Sequence, residues 1–431
     1  MIEGKQDLPF EEQFQATRQV SVVPASPGQR ALSTSGKFLL ALLFLMAFIS
    51  LAVGVRQALT RGIDFQWSGA KLLGEGIDPW KTFINGDPGH RIILGQQPNY
   101  LHELYVLLLP VGKLSLPNAL IVWCVANLFF VAVSLILISR LYRLTTYHSL
   151  LLGALFLMAT PLRISFSNGQ QSLFALFFFA VAFSVASRFL RGVSLGLAFA
   201  KYSFSPVVAI IEVIRLRVAT LVGIAIPMLC GLLITWRITG TRLPELLFEP
   251  LRSAKIAMSS GYGDIMTILQ MILPHFGMSL DRVFSLTGAI GLLCSGVCAT
   301  YLVKQQFTVR LELALIAVFT LFCFKHLSYD YVFLVFPLAA LLEWGQARSD
   351  QNLEDDKRNL IKFAAWIPIL YLLLFGSVRS RLHLDDSLPF VISNAVSLLL
   401  IAGALIAAEQ SRRRANAPSG ASPERLAAAE Y

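Results

Sequence analysis

Four small sets of polar residues interrupt a chain otherwise made of apolar runs. Asp64 lies in Arg61-Gly62-Ile63-Asp64-Phe65-Gln66-Trp67-Ser68-Gly69-Ala70, shortly past the first apolar run. Asn168, Gly169 and Gln170 sit between two later runs, Lys201 falls inside another, and His326 is followed closely by Tyr329 and Asp330. A carboxylate at a membrane surface can take a proton from an attacking hydroxyl. Fixed cations can hold a phosphate that gains charge as its bond breaks. A lysine within an apolar segment costs roughly 2.5–3.5 kcal/mol on insertion scales, so its retention there argues for a role. One base and several anion-holding groups are what transfer of a group from a lipid phosphate to a hydroxyl requires. Each also has an ordinary reading: Asp64 as a solvated loop acid, Asn168-Gly169 as a turn, His326 as an interfacial side chain, and Lys201 as a snorkelling one.

The composition says what must position these groups. The chain has 431 residues, 55% hydrophobic and 14% charged, whereas soluble domains carry about 25% charged residues. This is the composition of a polytopic all-α membrane protein. The net charge of +10, from 36 basic against 26 acidic residues, could suggest nucleic acid. The basic residues instead cluster at the ends of apolar runs, where they set orientation. The expected partners are therefore membrane lipids and a phosphate-bearing lipid, with no nucleic acid. Five cysteines all lie within apolar runs and read as small buried side chains. Cys294 and Cys298 are four apart, but no His or carboxylate lies near them, so no metal site is expected there.

Basic ends placed in the cytoplasm thread the chain through about twelve full or half-membrane helices, with both termini inside. Residues 1–36 and 410–431 read as disordered cytoplasmic tails flanking one membrane domain, 37–409. The first span, Lys37 to Val55, leads to a long outer loop from Gly62 to Leu114. Within that loop Tyr100 to Leu114 reads as a helix lying at the interface. Span two is Leu116 to Ile138, span three His148 to Thr160, and Pro161 to Gln171 an outer loop before span four, Ser172 to Ala186. Two basic pairs, Arg188 with Arg191 and Arg215 with Arg217, then bracket Val193 to Ile214. Two basic clusters on one side require an even number of crossings. This segment therefore reads as two half-helices with Lys201 near the tip, and a single crossing is the alternative. Ala219 to Trp236 and Val283 to Val303 flank a second outer loop, Arg237 to Arg282. Leu311 to Phe324, Tyr331 to Trp344, Phe363 to Phe375 and Pro389 to Ala408 complete the set. On this threading Asp64, Asn168, Gln170, Lys201 and His326 all reach the outer face.

At these residues the chain resembles the polyprenyl-phosphate-dependent glycosyltransferases of the GT-C superfamily, and within them glycosyltransferase family 87, the bacterial α-mannosyltransferase-like group. The resembling stretches are Asp64-Phe65, Gly69-Ala70, Leu72-Leu73, Gly76-Ile77-Asp78-Pro79-Trp80, Asn168-Gly169-Gln170, Gly196-Leu197 to Lys201, and the His326 to Tyr329 loop. Trp80 stands where the family usually has Tyr, and Pro206 lies further from Lys201 than its proline usually does. The resemblance implies a GT-C-type bundle with extracytoplasmic loop helices. It implies a polyprenyl-phosphate-linked sugar as donor, a lipid or glycan acceptor, and inverting transfer of a hexose or pentose, such as mannose, on the extracytoplasmic side of the cell membrane. Asp64 would be the general base, with Lys201 and His326 on the donor phosphate. Trp67, Asp78, Trp80, Asn168, Gln170 and Tyr329 would line the sugar or acceptor site. Asp64 and Asp78 are 14 residues apart without a ligand cluster, so a metal-independent reaction is expected. The alternative function is a secondary transporter or lipid flippase, because a broken helix bearing a charge also suits a transport site.

Overall fold

The computed structural model of the chain describes residues 34–256, 261–346, 354–374 and 387–415, which form helices and no strand. Among the described residues five helices are long and apolar enough to cross a membrane: α1 (Thr34–Thr60), α5 (Leu116–Leu141), α11 (Val218–Thr239), α14 (Leu280–Gln305) and α18 (Leu388–Ala415). At 1.5 Å per residue each exceeds the roughly 30 Å hydrocarbon core of a bilayer. They are apolar on all sides, and they leave Phe48, Val125, Phe129, Leu229, Leu293 and Leu400 exposed. A helix that is apolar all round is stable only when covered by protein or by lipid, and none of the described residues covers these faces. Between α1 and α5 come α2 (Trp67–Gly74), α3 (Pro79–Ile84) and α4 (His102–Gly112), the last in the place expected for an interfacial helix.

One expectation is corrected. Residues from Pro161 onward were expected to form a loop, but α6 (Thr146–Met158) is followed, after a 56° bend, by a second helix, α7 (Thr160–Asn168). Pro161 falls in the first turn of α7, where its missing N–H would have no partner in any case, so proline begins this helix. Gly169 ends it in the left-handed conformation, at φ +69°. Together the bent pair forms a sixth candidate span.

The other expected crossings are short helices: α8 (Ser172–Ser184), α9 (Arg188–Ala198), α10 (Ser205–Ile214), α15 (Val309–Cys323) and α16 (Val335–Gln346). None reaches the roughly 20 residues a crossing needs. α15 and α16 form the centre of the core, with Leu313, Leu315, Leu321 and Leu338 at 0% exposure. The second outer segment carries α12 (Leu243–Ile256) and α13 (Ile265–Ile272), and α17 spans Glu354–Leu374. The expected terminal tails lie outside the described residues, except that α1 begins at Thr34 and α18 continues to Ala415.

The basic helix ends gather on one face. Arg191 at the start of α9 donates to Glu212 near the end of α10 at 2.7 Å, and Arg217 joins the same carboxylate at 3.1 Å. Arg215 holds Glu312 of α15 through two bonds of 2.7 Å, and Arg310 pairs with Glu343 of α16. Tyr142, just past α5, donates to the Arg310 carbonyl, and Arg413 of α18 donates to the carbonyls that close α14. Because the start of α9 and the end of α10 meet, the chain reverses between them. The tip of that reversal is the break Phe199–Phe204, which holds Lys201. The segment is thus two helices with Lys201 at the break between them, as expected.

Candidate functional site

At the opposite end from the basic face, four chain segments converge. Asp64 follows α1 by one turn, and its backbone N–H donates to the Asn168 carbonyl at 2.8 Å. That contact brings the α1–α2 link against the α7–α8 turn. The turn needs glycine: a Cβ on Gly169 would stand 2.7 Å from the Cβ of Phe65. Trp123 stacks on Phe65 at 5.3 Å and donates its indole N–H to the Gly169 carbonyl at 2.9 Å. Gly69 is similarly constrained, since a Cβ there would lie 2.4 Å from the Tyr105 ring of α4. The small pair Gly69-Ala70 therefore lets α2 and α4 pack closely beside Asp64.

Gln170, the first residue beyond that glycine, is 1% exposed. Its amide Nε2 donates to Asp64 Oδ2. Its Oε1 accepts from the Tyr100 hydroxyl at 2.9 Å, and the Tyr329 hydroxyl also hydrogen-bonds it. Asp64 itself is half-buried. Burial pushes its carboxyl up to about 6, with the Lys201 charge and the Gln170 hydrogen bond pulling the other way and Asp330 adding to the rise. A carboxylate that is ionised at neutral pH, yet readier than usual to take a proton, is suited to general-base work.

Lys201 sits at the helix break with Nζ 2.9 Å from Asp330 Oδ1. The ammonium also lies 4.8 Å from the Tyr329 ring centroid and 5.4 Å from that of Tyr100, within cation–π range. Asp330 collects further donors: Ser172 Oγ at 2.6 Å on Oδ1, and His326 Nδ1 at 3.0 Å on Oδ2. Burial alone would raise the Asp330 carboxyl, but Lys201, His326 and Ser172 outweigh it and hold it down at about 2. His326 lies tilted against Phe204, with ring centroids 4.4 Å apart, and its buried Nε2 has no hydrogen-bond partner among the described residues. Beside this network opens a cavity of about 380 Å³. Tyr100, Lys201, Lys325, Tyr329 and Asp330 line its polar end, and Leu251, Ala254, Phe284, Gly288 and Leu292 its apolar wall.

The structure thus brings together Asp64, Gln170, Lys201, His326 and Tyr329. Asn168 takes part through its carbonyl. Three other expected site residues lie apart. Trp67 is 8% exposed and donates its indole N–H to the Leu114 carbonyl at 3.1 Å. Trp80 is 0% exposed; it packs on His102 and Tyr105 and donates to the Tyr100 carbonyl at 3.2 Å. Asp78 caps α3, accepting from the Lys81 N–H at 3.0 Å. It also faces Glu249 of α12, whose carboxyl is pushed up to about 8 by burial and then by Asp78 itself. Trp80 and Asp78 hold the segment that carries Tyr100. Tyr100 and Ser172 were not expected in the site, and Asp330, noted beside His326 and Tyr329 in the sequence, had been given no role there. The spacing of His326 and Asp330, four residues apart, was the available signal. Among the described residues no three His, Cys, Asp or Glu side chains gather into a metal-ligating set.

A bundle of apolar helices with a half-buried carboxylate, a lysine–aspartate pair and an amphiphilic cavity at one end suits a membrane-bound group-transfer enzyme. The model of glycosyltransferase family 87 matches residues 104–337, more than half of the chain. The chain belongs to glycosyltransferase family 87 and is a glycosyltransferase. No curated protein and no solved structure matches it. The match contains Asn168, Gln170, Lys201, His326 and Tyr329, and Asp64 lies before it; the Gln170–Asp64 hydrogen bond joins the two parts.

Proposed function

We propose that the protein transfers a sugar from a polyprenyl-phosphate donor to a hydroxyl of a lipid or glycan acceptor, on the extracytoplasmic face of the cell membrane. The observation that carries this reading is the placement of the Asp64 carboxylate, bonded to Gln170 and within the field of Lys201, which itself lines a cavity charged at one end and apolar along its wall. A sugar joined to a lipid through phosphate is an amphiphile of that pattern. Phe284, Gly288 and Leu292 are four residues apart along α14, so they present one continuous apolar stripe for the isoprenoid. The basic face formed by Arg191, Arg215, Arg217, Arg310 and Arg413 is read as cytoplasmic by the positive-inside rule, which places the cavity on the other side.

In the reaction, Asp64 takes the acceptor hydroxyl proton, and the acceptor oxygen forms a bond to the anomeric carbon. The bond from that carbon to the phosphate oxygen breaks, and its electron pair leaves with the lipid phosphate. Attack opposite the leaving group inverts the anomeric centre. Lys201, at the polar end of the cavity, adds positive potential where charge develops on the phosphate, and His326 supports it by holding Asp330. Gln170, hydrogen-bonded to Tyr100 and Tyr329, fixes the direction of the Asp64 carboxylate. Mannose is the sugar to try first, with other hexoses and pentoses alongside. The test is transfer from a panel of polyprenyl-phosphate sugars by the purified chain. Transfer from one of them supports the reading, and transfer only from nucleotide sugars contradicts it.

A further inference from the structure

The charges that line the donor cavity do not balance. Among the described residues three charged side chains reach it: Lys201, Asp330 and Lys325. Lys201 is already neutralised, with Asp330 at 2.9 Å, and the cation and the carboxylate hold each other in place. Lys325, in the extended stretch between α15 and the 3-10 turn Ser328–Leu334, is half-buried and makes no ion pair within 4 Å among the described residues. The nearest acid with an influence on it is Asp264. That carboxylate is occupied by Thr267, whose N–H and hydroxyl donate to it at 2.7 and 2.8 Å. Burial pushes the Lys325 ammonium down from its ordinary range, the direction expected of a cation short of counter-charge. Ser203, Ser205 and Gln270 line the same cavity and add neutral hydrogen-bonding groups.

From this imbalance we infer that Lys325 is the cation that binds the phosphate of the lipid donor, while Lys201, pinned by Asp330, positions the site around it. The inference rests on the lipid-phosphate reading above and refines it. A sugar phosphodiester carries one negative charge, which one unpaired lysine matches. As the sugar–oxygen bond breaks, the phosphate becomes a monoester and gains a second charge. A cation without a competing carboxylate answers that gain more strongly than one already paired.

The experiment measures binding of farnesyl phosphate, and of farnesol as its uncharged counterpart, to the purified full-length chain in detergent. The proteins compared are wild type, Lys325→Met and Lys325→Arg, each checked for an unchanged unfolding temperature. The expected result is a loss of farnesyl phosphate affinity of about tenfold or more in Lys325→Met, unchanged farnesol binding, and near-wild-type binding by Lys325→Arg. Lys325→Met that binds farnesyl phosphate as wild type does would overturn the role of Lys325 and leave the lipid-phosphate reading standing. Wild type that does not prefer farnesyl phosphate to farnesol would overturn both. Should Lys325→Met unfold, Lys325→Gln read against Lys325→Arg decides by the same difference.

Discussion

Lys201 and Asp330, 129 positions apart in the chain, form a 2.9 Å ion pair with 7% and 2% of their surfaces exposed. The pair ties the tip of the α9–α10 reversal to the turn after α15. Through His326 and Ser172 it also fixes the elements that border the cavity. Removing one partner of such a buried pair leaves an uncompensated charge, at about 3–5 kcal/mol. Asp330→Asn is expected to lower the unfolding temperature of the purified protein markedly. The double variant Lys201→Met with Asp330→Asn should recover a large part of that loss. Additive losses would show that the two residues act independently.

The raised Asp64 carboxyl predicts a pH profile. A base is inactive when protonated, and here it keeps its proton up to about pH 6. The value of kcat/KM should therefore fall about tenfold per pH unit below about 6 and level off above it. Gln170→Leu removes a hydrogen bond that favours the ionised form, so the acid limb should move to higher pH. A limb near pH 4, or one that Gln170→Leu leaves in place, would count against Asp64 as the base.

The meeting of Arg191 with Glu212 predicts sidedness. In a variant without the five native cysteines, a cysteine replacing exposed Arg188 and one replacing exposed Leu216 should react with an impermeant thiol reagent from the same side. A cysteine replacing Asn85 should react from the other side. Opposite labelling at 188 and 216 would mean that the chain crosses once between them.

Gly288 borders the cavity, and a Cβ built there meets no atom within 4 Å. Gly288→Leu should fill the cavity without disturbing α14, because leucine suits a helix interior better than glycine by up to ~1 kcal/mol. Transfer from long-chain polyprenyl-phosphate donors should drop about tenfold or more, the scale of lost apolar binding for a blocked chain segment. Gly296→Leu, equally open but away from the cavity lining, should leave transfer unchanged. Equal rates in both variants would remove the lipid chain from this wall.

Much of this was legible in the residues. Asp64, Lys201 and His326 stood out because ionisable groups are costly near apolar runs. The reversal around Lys201 followed from two arginine pairs bracketing too few residues for two full spans. Other features were less accessible. Nothing local links Gln170 to Asp64, 106 positions away, because that contact exists only once α7 packs beside α1. Proline at 161 suggested a loop, but the same residue type also opens helices. Trp67 and Trp80 were expected at the sugar or acceptor site; both rings are buried with their indole N–H groups on backbone carbonyls. An aromatic ring packs a core as readily as it faces a ligand. Asp78 before Pro79 carried its own explanation, since an acid followed by proline is a helix start.

The central claim is that Asp64 is the base of a glycosyl transfer from a lipid phosphate. Its most direct test compares wild type with Asp64→Asn, an exchange that keeps the shape and removes the proton acceptor. Both purified proteins are assayed with the polyprenyl-phosphate sugar that the wild type uses. The account predicts a fall in kcat of about 10²-fold or more, with the unfolding temperature and farnesyl phosphate affinity retained. Transfer by Asp64→Asn at the wild-type rate would contradict it.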